Sequence, residues 1–262
     1  MIEANVTDDQ IAEKVYGIHV GYKDLRPDAD GFPRDFHFDL EANVLKHLSE
    51  RALNSTTIST ITNADATRTR IMLALANAQK VLTPEDLLLF SYFGHGSPTQ
   101  IQIPTRYRSS TNIDMILWKK SDLFAALAQL PGKKIVILST CYAASSIPTL
   151  DNSMVIASSR ADQYTWNNQF TTEISHLFID ALNQPQPLTH VMREALTRFH
   201  NFPLYNPVTK DRVSQAKSAQ MYERELQSGT PESHDWQRSA VQVAMMLKNG
   251  TPLQVNPNSN FM

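Results

Sequence analysis

The chain has 262 residues, and its apolar (42%) and charged (19%) fractions are those of an ordinary globular protein. Its net charge of −2 provides no basic stripe for a phosphate backbone, so we expect no nucleic-acid partner. The sequence shows neither a signal-peptide pattern nor an apolar run of membrane-spanning length, and its single cysteine cannot form an internal disulfide, so we expect a cytoplasmic protein with no membrane partner.

Strands and helices alternate in the first two thirds of the sequence. Apolar runs rich in β-branched residues predict five strands: Val15 to Tyr22, Thr56 to Thr62, Asp86 to Phe93, Lys134 to Thr140 and Ser153 to Ser158. Helical spacing predicts helices from Phe38 to Arg51, from about Thr67, and after Ser121 as N-cap. This alternation predicts an α/β fold with parallel strands joined by crossover helices.

Each of these predicted helices contains apolar residues with helical spacing. The first helix is predicted to have Leu40, Val44, Leu45 and Leu48 on one face. The apolar residues are Ile71, Leu73, Leu75 and Val81 in the second helix, and Leu123, Phe124, Leu127 and Leu130 in the third. Between the third and fourth strands, the alternation from Gln100 to Arg108 predicts a hairpin or an extended arm.

The last third of the chain has weaker patterns. Helices are predicted from Phe170 to Asn183, from Thr189 to His200 and from Val213 to Gln227, whereas Ala240 to Leu247 fits a strand or a helix. Because no stretch has the composition of a linker, we expect one domain at 1–201 and an extension at 202–262 packed on it.

The third and fourth predicted strands are each followed by a residue suited to nucleophilic catalysis. His95 comes directly after the third strand, and Cys141 comes directly after the fourth. Catalytic groups in an open parallel sheet gather beyond the carboxyl ends of its strands, so neighbouring strands would bring these two side chains to one edge. A thiol needs a nearby imidazole to accept its proton, and the pair predicts a His–Cys dyad.

Glycines flank the histidine on both sides. We expect Gly94 and Gly96 to permit unusual backbone angles and the close approach of a substrate carbonyl. The amide groups of Gly96 and Cys141 are then predicted to form an oxyanion hole for a tetrahedral intermediate.

Five segments agree in order and spacing with a known group of enzymes. They are Tyr16 to Lys23, Asn63 to Ile71, Asp86 to Gly96, Ile137 to Ala144, and Val155 to Ser159 followed by Phe170-Thr171. Over about residues 14–183 the chain thereby resembles the caspases, metacaspases and prokaryotic caspase-like peptidases. The resemblance implies a doubly wound sheet, His95 and Cys141 as the dyad, and a peptide or protein substrate.

The chain departs from the family pattern at two places around Cys141. Ser139 stands where metacaspases have an acidic residue and caspases have glutamine, and Tyr142-Ala143-Ala144 replaces the usual His-Ser-Gly. The Leu-Ser-Thr-Cys run is also similar to that of peptidases with CHAT domains, which leaves the subfamily open. A caspase-fold adaptor without activity is therefore the main alternative, and a flavodoxin-like binding protein is disfavoured because no glycine-rich phosphate loop follows the first strand.

The residue before the scissile bond is selected by the charge of its pocket. Ser139 belongs to this candidate pocket together with three acidic residues that would favour Lys or Arg: Asp35, Asp39 and Asp162. Arg34 and Arg160 would favour an acidic substrate residue instead. Each of these acidic and basic residues could equally be a solvated loop residue outside the pocket. The resemblance to metacaspases favours Lys or Arg as the substrate residue before the scissile bond.

Metal binding and self-cleavage have little basis in the sequence. Calcium needs several oxygen ligands, and the loop after Cys141 offers only Asp151 and Asn152, with Asp162 further on. We therefore expect no metal and no cofactor, with calcium dependence left open.

The segment from Ala143 to Ser153 contains no Lys or Arg, so we expect an uncut single chain, and no regulatory partner can be named.

Overall fold

The structure is a computed structural model that describes residues 14–27, 36–52, 56–159, 161, 203–205, 212–214, 245–248 and 251–252. The predicted helices at 170–183 and 189–200 lie outside these residues. Within the segment predicted as a helix from Val213, the described residues form part of a strand, Arg212–Ser214. The segment Ala240 to Leu247, which fits a strand or a helix by sequence, overlaps the strand Met245–Lys248.

Three α-helices, one short 3-10 helix (Asn63–Asp65) and thirteen strands are present in the described residues. The helices are α1 (Phe38–Ala52), α2 (Arg68–Val81) and α3 (Lys120–Ala128). The strands are β1 (Val15–Gly21), β2 (Lys23–Asp24), β3 (Phe36–His37), β4 (Thr56–Thr62), β5 (Leu87–Phe93), β6 (Gln100–Ser109), β7 (Asn112–Lys119), β8 (Lys133–Ser139), β9 (Ser153–Ala157), β10 (Pro203–Tyr205), β11 (Arg212–Ser214), β12 (Met245–Lys248) and β13 (Thr251–Pro252).

The central sheet has the order β13-β12-β9-β8-β5-β1-β4. The five strands from β4 to β9 in this order are mutually parallel, and β12 pairs antiparallel with β9. All five predicted strands are present, with ends that differ by one residue at most. The prediction of an α/β fold with a mostly parallel sheet is confirmed.

The middle of this sheet is covered on both faces. Every residue of β5 is buried, as are six of the seven residues of β8, which explains why these strands are continuously apolar rather than alternating. One polar pair lies inside this layer, where His19 Nδ1 and Ser91 Oγ are 2.7 Å apart. Burial lowers the pKa of His19 to about 3, so this imidazole is neutral and serves packing.

The helices pack on the sheet through faces that differ in part from the predicted ones. In α1 the buried positions include Phe38, Ala42 and Leu45, whereas Leu40 is 55% exposed. The buried positions of α2 are Ile71, Leu75 and Ala78. Leu73 and Val81, two further apolar residues in the sequence of this helix, are exposed.

The third helix and the hairpin before it agree more closely with the sequence. Leu123, Phe124 and Leu127 are buried as predicted. The helix begins two residues earlier than expected, with Lys119 rather than Ser121 at the N-cap position. The predicted hairpin is confirmed, since β6 pairs antiparallel with β7. No helix among the described residues is both long and apolar enough to cross a membrane.

Candidate active site

The candidate site lies at the carboxyl edge of the sheet, where β5 and β8 end side by side. These strands are parallel neighbours, with Phe93 opposite Ser139 at their last residues. Their pairing continues beyond the strands, because the Gly94 amide donates a hydrogen bond to the Ser139 carbonyl at 3.1 Å. His95 and Cys141, each two residues beyond its strand, therefore start from the same edge on adjacent strands.

His95 is fixed by contacts to both its ring and its backbone. Phe36 and Phe38 meet the imidazole edge-on, with ring centroids 4.9 and 5.2 Å away. The His95 amide donates to the Tyr22 hydroxyl at 3.2 Å, and the His95 carbonyl accepts from the Tyr92 hydroxyl at 3.0 Å. The side chain remains 19% exposed, so the imidazole is held in place and still reaches the surface.

Asp24 is a functional candidate that the sequence analysis missed. Its Oδ2 lies 3.1 Å from His95 Nε2, and its side chain is fully buried. Arg26 holds the same carboxylate through two hydrogen bonds of 2.9 and 2.8 Å. Asp24 follows β1, which is the other parallel neighbour of β5, so the rule that placed His95 and Cys141 at this edge also applies to Asp24.

The charge of Asp24 determines which nitrogen of His95 carries a proton. Burial alone would raise the pKa of Asp24, but hydrogen bonds from Arg26 and His95 outweigh it and hold that pKa well below its ordinary value. An ionised carboxylate can only accept hydrogen bonds, so Nε2 must donate. In the neutral imidazole this leaves Nδ1 without a proton and able to act as a base.

Cys141 begins a tight turn that is bound to the end of β9. The Ala143 amide donates to Ser159 Oγ at 3.0 Å, and the Ala144 amide donates to the Ser159 carbonyl at 3.1 Å. One residue before the cysteine, the Thr140 amide donates to Ser158 Oγ at 3.1 Å. Cys141 itself is half-buried. Because of these hydrogen bonds, its thiol lies in a turn with a defined backbone.

The two glycines beside His95 are required by close packing rather than by unusual backbone angles. Among the described glycines, only Gly132 has a positive φ, at 80°. A Cβ on Gly94 would collide with the Tyr92 hydroxyl, and a Cβ on Gly96 would collide with Thr140 Oγ1. The latter Cβ would also lie 3.2 Å from the Cys141 carbonyl, so the His95 and Cys141 loops are in contact.

Two of the predicted pocket residues lie in the described part of the chain. Ser139 is the last residue of β8 and is 4% exposed. Asp39 lies in the first turn of α1, where its Oδ2 accepts a hydrogen bond from Asn63 Nδ2 at 3.2 Å. The remaining candidates lie outside the described residues: Asp35, Asp162, Arg34 and Arg160. Within the described ranges, no three His, Cys, Asp or Glu side chains come together as a metal site.

Known proteins resemble the chain in structure. No family model and no curated protein sequence matches it. Caspase-1 from Spodoptera frugiperda superposes over 100% of this chain and 98% of its own, with a TM-score of 0.54 and 9% identity. The chain has a caspase-like fold. The Drosophila initiator caspase Dronc covers 95% of this chain and 85% of its own, with a TM-score of 0.49 and 13% identity.

A Geobacter sulfurreducens protein covers 65% of this chain and 84% of its own, with a TM-score of 0.47 and 16% identity. The caspase-like fold agrees with the doubly wound sheet that the sequence resemblance implied. At these identities the likeness concerns the fold alone.

Proposed function

We propose that this chain is a cysteine endopeptidase in which Cys141 is the nucleophile and His95 is the general base. The observation that carries the proposal is the contact of His95 Nε2 with the buried carboxylate of Asp24, 3.1 Å away. This contact orients an imidazole beside the strand that ends before the cysteine, and it leaves Nδ1 to accept the thiol proton. The caspase-like fold supports the same class of chemistry.

The proposed reaction has two steps. The Cys141 sulfur attacks the carbonyl carbon of the scissile peptide bond while His95 takes the thiol proton and passes it to the leaving amine. This forms a thioester and releases the amine product. Water then attacks the thioester with His95 as base, which yields the carboxylic acid product and restores the thiol. The amides of Gly96 and Cys141 are proposed to stabilise the oxyanion in both steps.

We further propose that cleavage follows Lys or Arg, as the resemblance to metacaspases implies. Asp39 supports a basic substrate residue, because its Oδ1 is buried and has no hydrogen-bond partner among the described residues. Asp39 also follows Phe38, whose ring contacts His95. A cationic side chain would supply the missing partner for this carboxylate oxygen. The proposed enzyme is a cytoplasmic single chain that needs no cofactor.

The first experiment profiles cleavage of a peptide library by the purified protein, with and without calcium. We expect cleavage after Lys or Arg, and labelling of Cys141 by a peptide electrophile. The variants Cys141→Ala and His95→Ala should abolish cleavage while remaining folded. His47→Ala is the matched control, because the His47 side chain is 73% exposed and this variant should keep full activity.

Cleavage that survives in Cys141→Ala would overturn the proposal. Absence of any cleavage or labelling, in both calcium conditions, would favour the inactive caspase-fold adaptor instead. Cleavage after Asp or Glu would keep the enzyme class and overturn the proposed preference for Lys or Arg.

A further inference from the structure

Lys120 is a buried cation at the boundary between the two loops of the candidate site. It is the first residue of α3, and none of its surface is exposed. Its Nζ donates to the carbonyls of Tyr142, Ser145 and Pro98, at 2.6, 3.2 and 3.4 Å. These three acceptors account for all three N–H groups of an ammonium.

These carbonyls belong to the segments that carry the two reactive residues. Tyr142 and Ser145 lie in the turn that begins at Cys141, and Pro98 lies three residues after His95. One ammonium thus joins the Cys141 turn to the His95 loop. Sequence reasoning offered no signal for this role, because a lysine at a helix start is usually solvated.

The backbone of the Cys141 turn needs such support. Tyr142 and Ser146 have φ values of 54° and 56°, in the left-handed region that is unfavourable for residues with side chains. The carbonyl of Tyr142 itself accepts the shortest of the Lys120 hydrogen bonds. A cation that binds this carbonyl and that of Ser145 stabilises the turn in this conformation.

The charge of Lys120 also interacts with the charge of Cys141. Burial lowers the pKa of Lys120 to about 8, and a negative charge on Cys141 acts in the opposite direction and raises it. In the described part of the chain, Cys141 is the titratable group whose charge acts on Lys120 in this way. Because such an interaction is reciprocal, the ammonium favours the thiolate form of Cys141.

We propose that Lys120 is a positioning residue of the active site, which fixes the Cys141 turn against the His95 loop and stabilises the thiolate. The identification of Cys141 as a nucleophile rests on the proposed function. The reactivity of the thiol, however, can be measured without any peptide substrate. Because the chain has one cysteine, its alkylation reports on Cys141 alone.

The test compares alkylation by iodoacetamide, as a function of pH, in the native protein and in Lys120→Met. The substitution keeps an unbranched side chain, one atom shorter, and removes both the charge and the hydrogen-bond donors. We expect the midpoint of the alkylation profile to rise by about one pH unit, with about tenfold slower alkylation at neutral pH.

Lys134→Met is the matched control. Lys134 is also a buried lysine, 5% exposed, and its Nζ donates to the Gly132 carbonyl at 3.0 Å. It lies near the start of β8, at the opposite edge of the sheet from Cys141. We expect its alkylation profile to match that of the native protein, even where its thermal stability is lower.

An unchanged alkylation profile in folded Lys120→Met would overturn the proposal. A shifted profile in a protein that cleaves no peptide would disprove the peptidase function and leave the role of Lys120 in thiol reactivity intact. If Lys120→Met does not fold, the titration of Lys120 in Cys141→Ser is followed by carbon NMR, with the signal assigned through the backbone. We then expect the Lys120 midpoint to fall, and an unchanged midpoint would overturn the proposal.

Discussion

Asp24 controls which nitrogen of His95 can act as a base. Its carboxylate is buried, is held by Arg26, and lies 3.1 Å from Nε2 of the imidazole. The pKa of Asp24 lies below its ordinary value, so the ionised carboxylate stabilises the folded state at pH values above the pKa of an unfolded carboxyl. That stability is lost only as the pH falls through the lower folded value. The proton on Nε2 is therefore fixed across the neutral range.

The substitution Asp24→Asn tests this control. An amide can donate a hydrogen bond to Nε2, which moves the imidazole proton to Nδ1 and removes the base. We expect kcat for peptide cleavage to fall by roughly 10²- to 10⁴-fold with little change in KM. Nitrogen NMR of His95 should show protonation at Nδ1 in the variant and at Nε2 in the native protein.

Asp114→Asn provides the control for this experiment. Asp114 is 56% exposed and forms an ion pair with Arg108 on the hairpin, away from the imidazole. Its substitution should leave kcat and the His95 spectrum unchanged. Native activity in Asp24→Asn, or an unchanged tautomer, would show that Asp24 does not orient the base.

Residues such as Asp24 and Lys120 mark the limit of what the sequence could predict. His95 and Cys141 were found because each directly follows a recognisable strand. Asp24 contacts His95 across 71 positions, and Lys120 contacts Tyr142 across 22 positions, so neither contact leaves a local pattern. Their partners are backbone and ring atoms in other loops, whose positions depend on the complete fold.

At the scale of elements, the same limit appears in the helix faces. The helices α1 and α2 were placed within about one residue, because apolar spacing is a local signal. The apolar residues Leu40 and Leu73 are nonetheless exposed, 55% and 49% respectively. Which face of a helix meets the sheet depends on the crossover geometry, and scattered exposed leucines are common on protein surfaces.

The contact between the two site loops depends on the absence of a side chain at Gly96. In Gly96→Ala the new methyl group would collide with Thr140 Oγ1, on the residue before Cys141. We expect the free energy of unfolding to fall by about 1–3 kcal/mol, as for other overpacked sites. Urea denaturation measures this loss, and peptide cleavage should fall as well, because the His95 and Cys141 loops must separate.

A double variant distinguishes this collision from a general effect of alanine. Thr140→Ala removes the oxygen that the new methyl group would meet. The double variant should therefore lose less free energy of unfolding than the two single variants lose together, by about 1 kcal/mol or more. Additive losses would show that the two loops are not in close contact at this point.

At the scale of the whole molecule, the site depends on the sheet that carries it. Asp24, His95 and Cys141 follow β1, β5 and β8, which are consecutive strands of the sheet. The next strand, β9, ends before Ser158 and Ser159, and these two residues bind the backbone around Cys141. On its other side β9 pairs with β12, so a strand close to the C-terminal end of the chain supports the sheet beside the site.

Removal of β12 should therefore affect both assembly and chemistry. In a chain ending at residue 244, the backbone groups of β9 from Met154 to Ala157 that pair with β12 would lose their partners. All five residues of β9 are buried in the native chain, so the exposed edge would favour pairing between molecules. We expect association in light scattering, a lower thermal midpoint and slower alkylation of Cys141.

A chain ending at residue 253 is the control, because it keeps both β12 and β13. It should remain as stable and as reactive as the full chain. The two truncations differ by nine residues, so a difference between them is assigned to these strands rather than to shortening in general. A chain ending at 244 that matches the longer one in all three measurements would show that β9 does not need β12 to support the turn at Cys141.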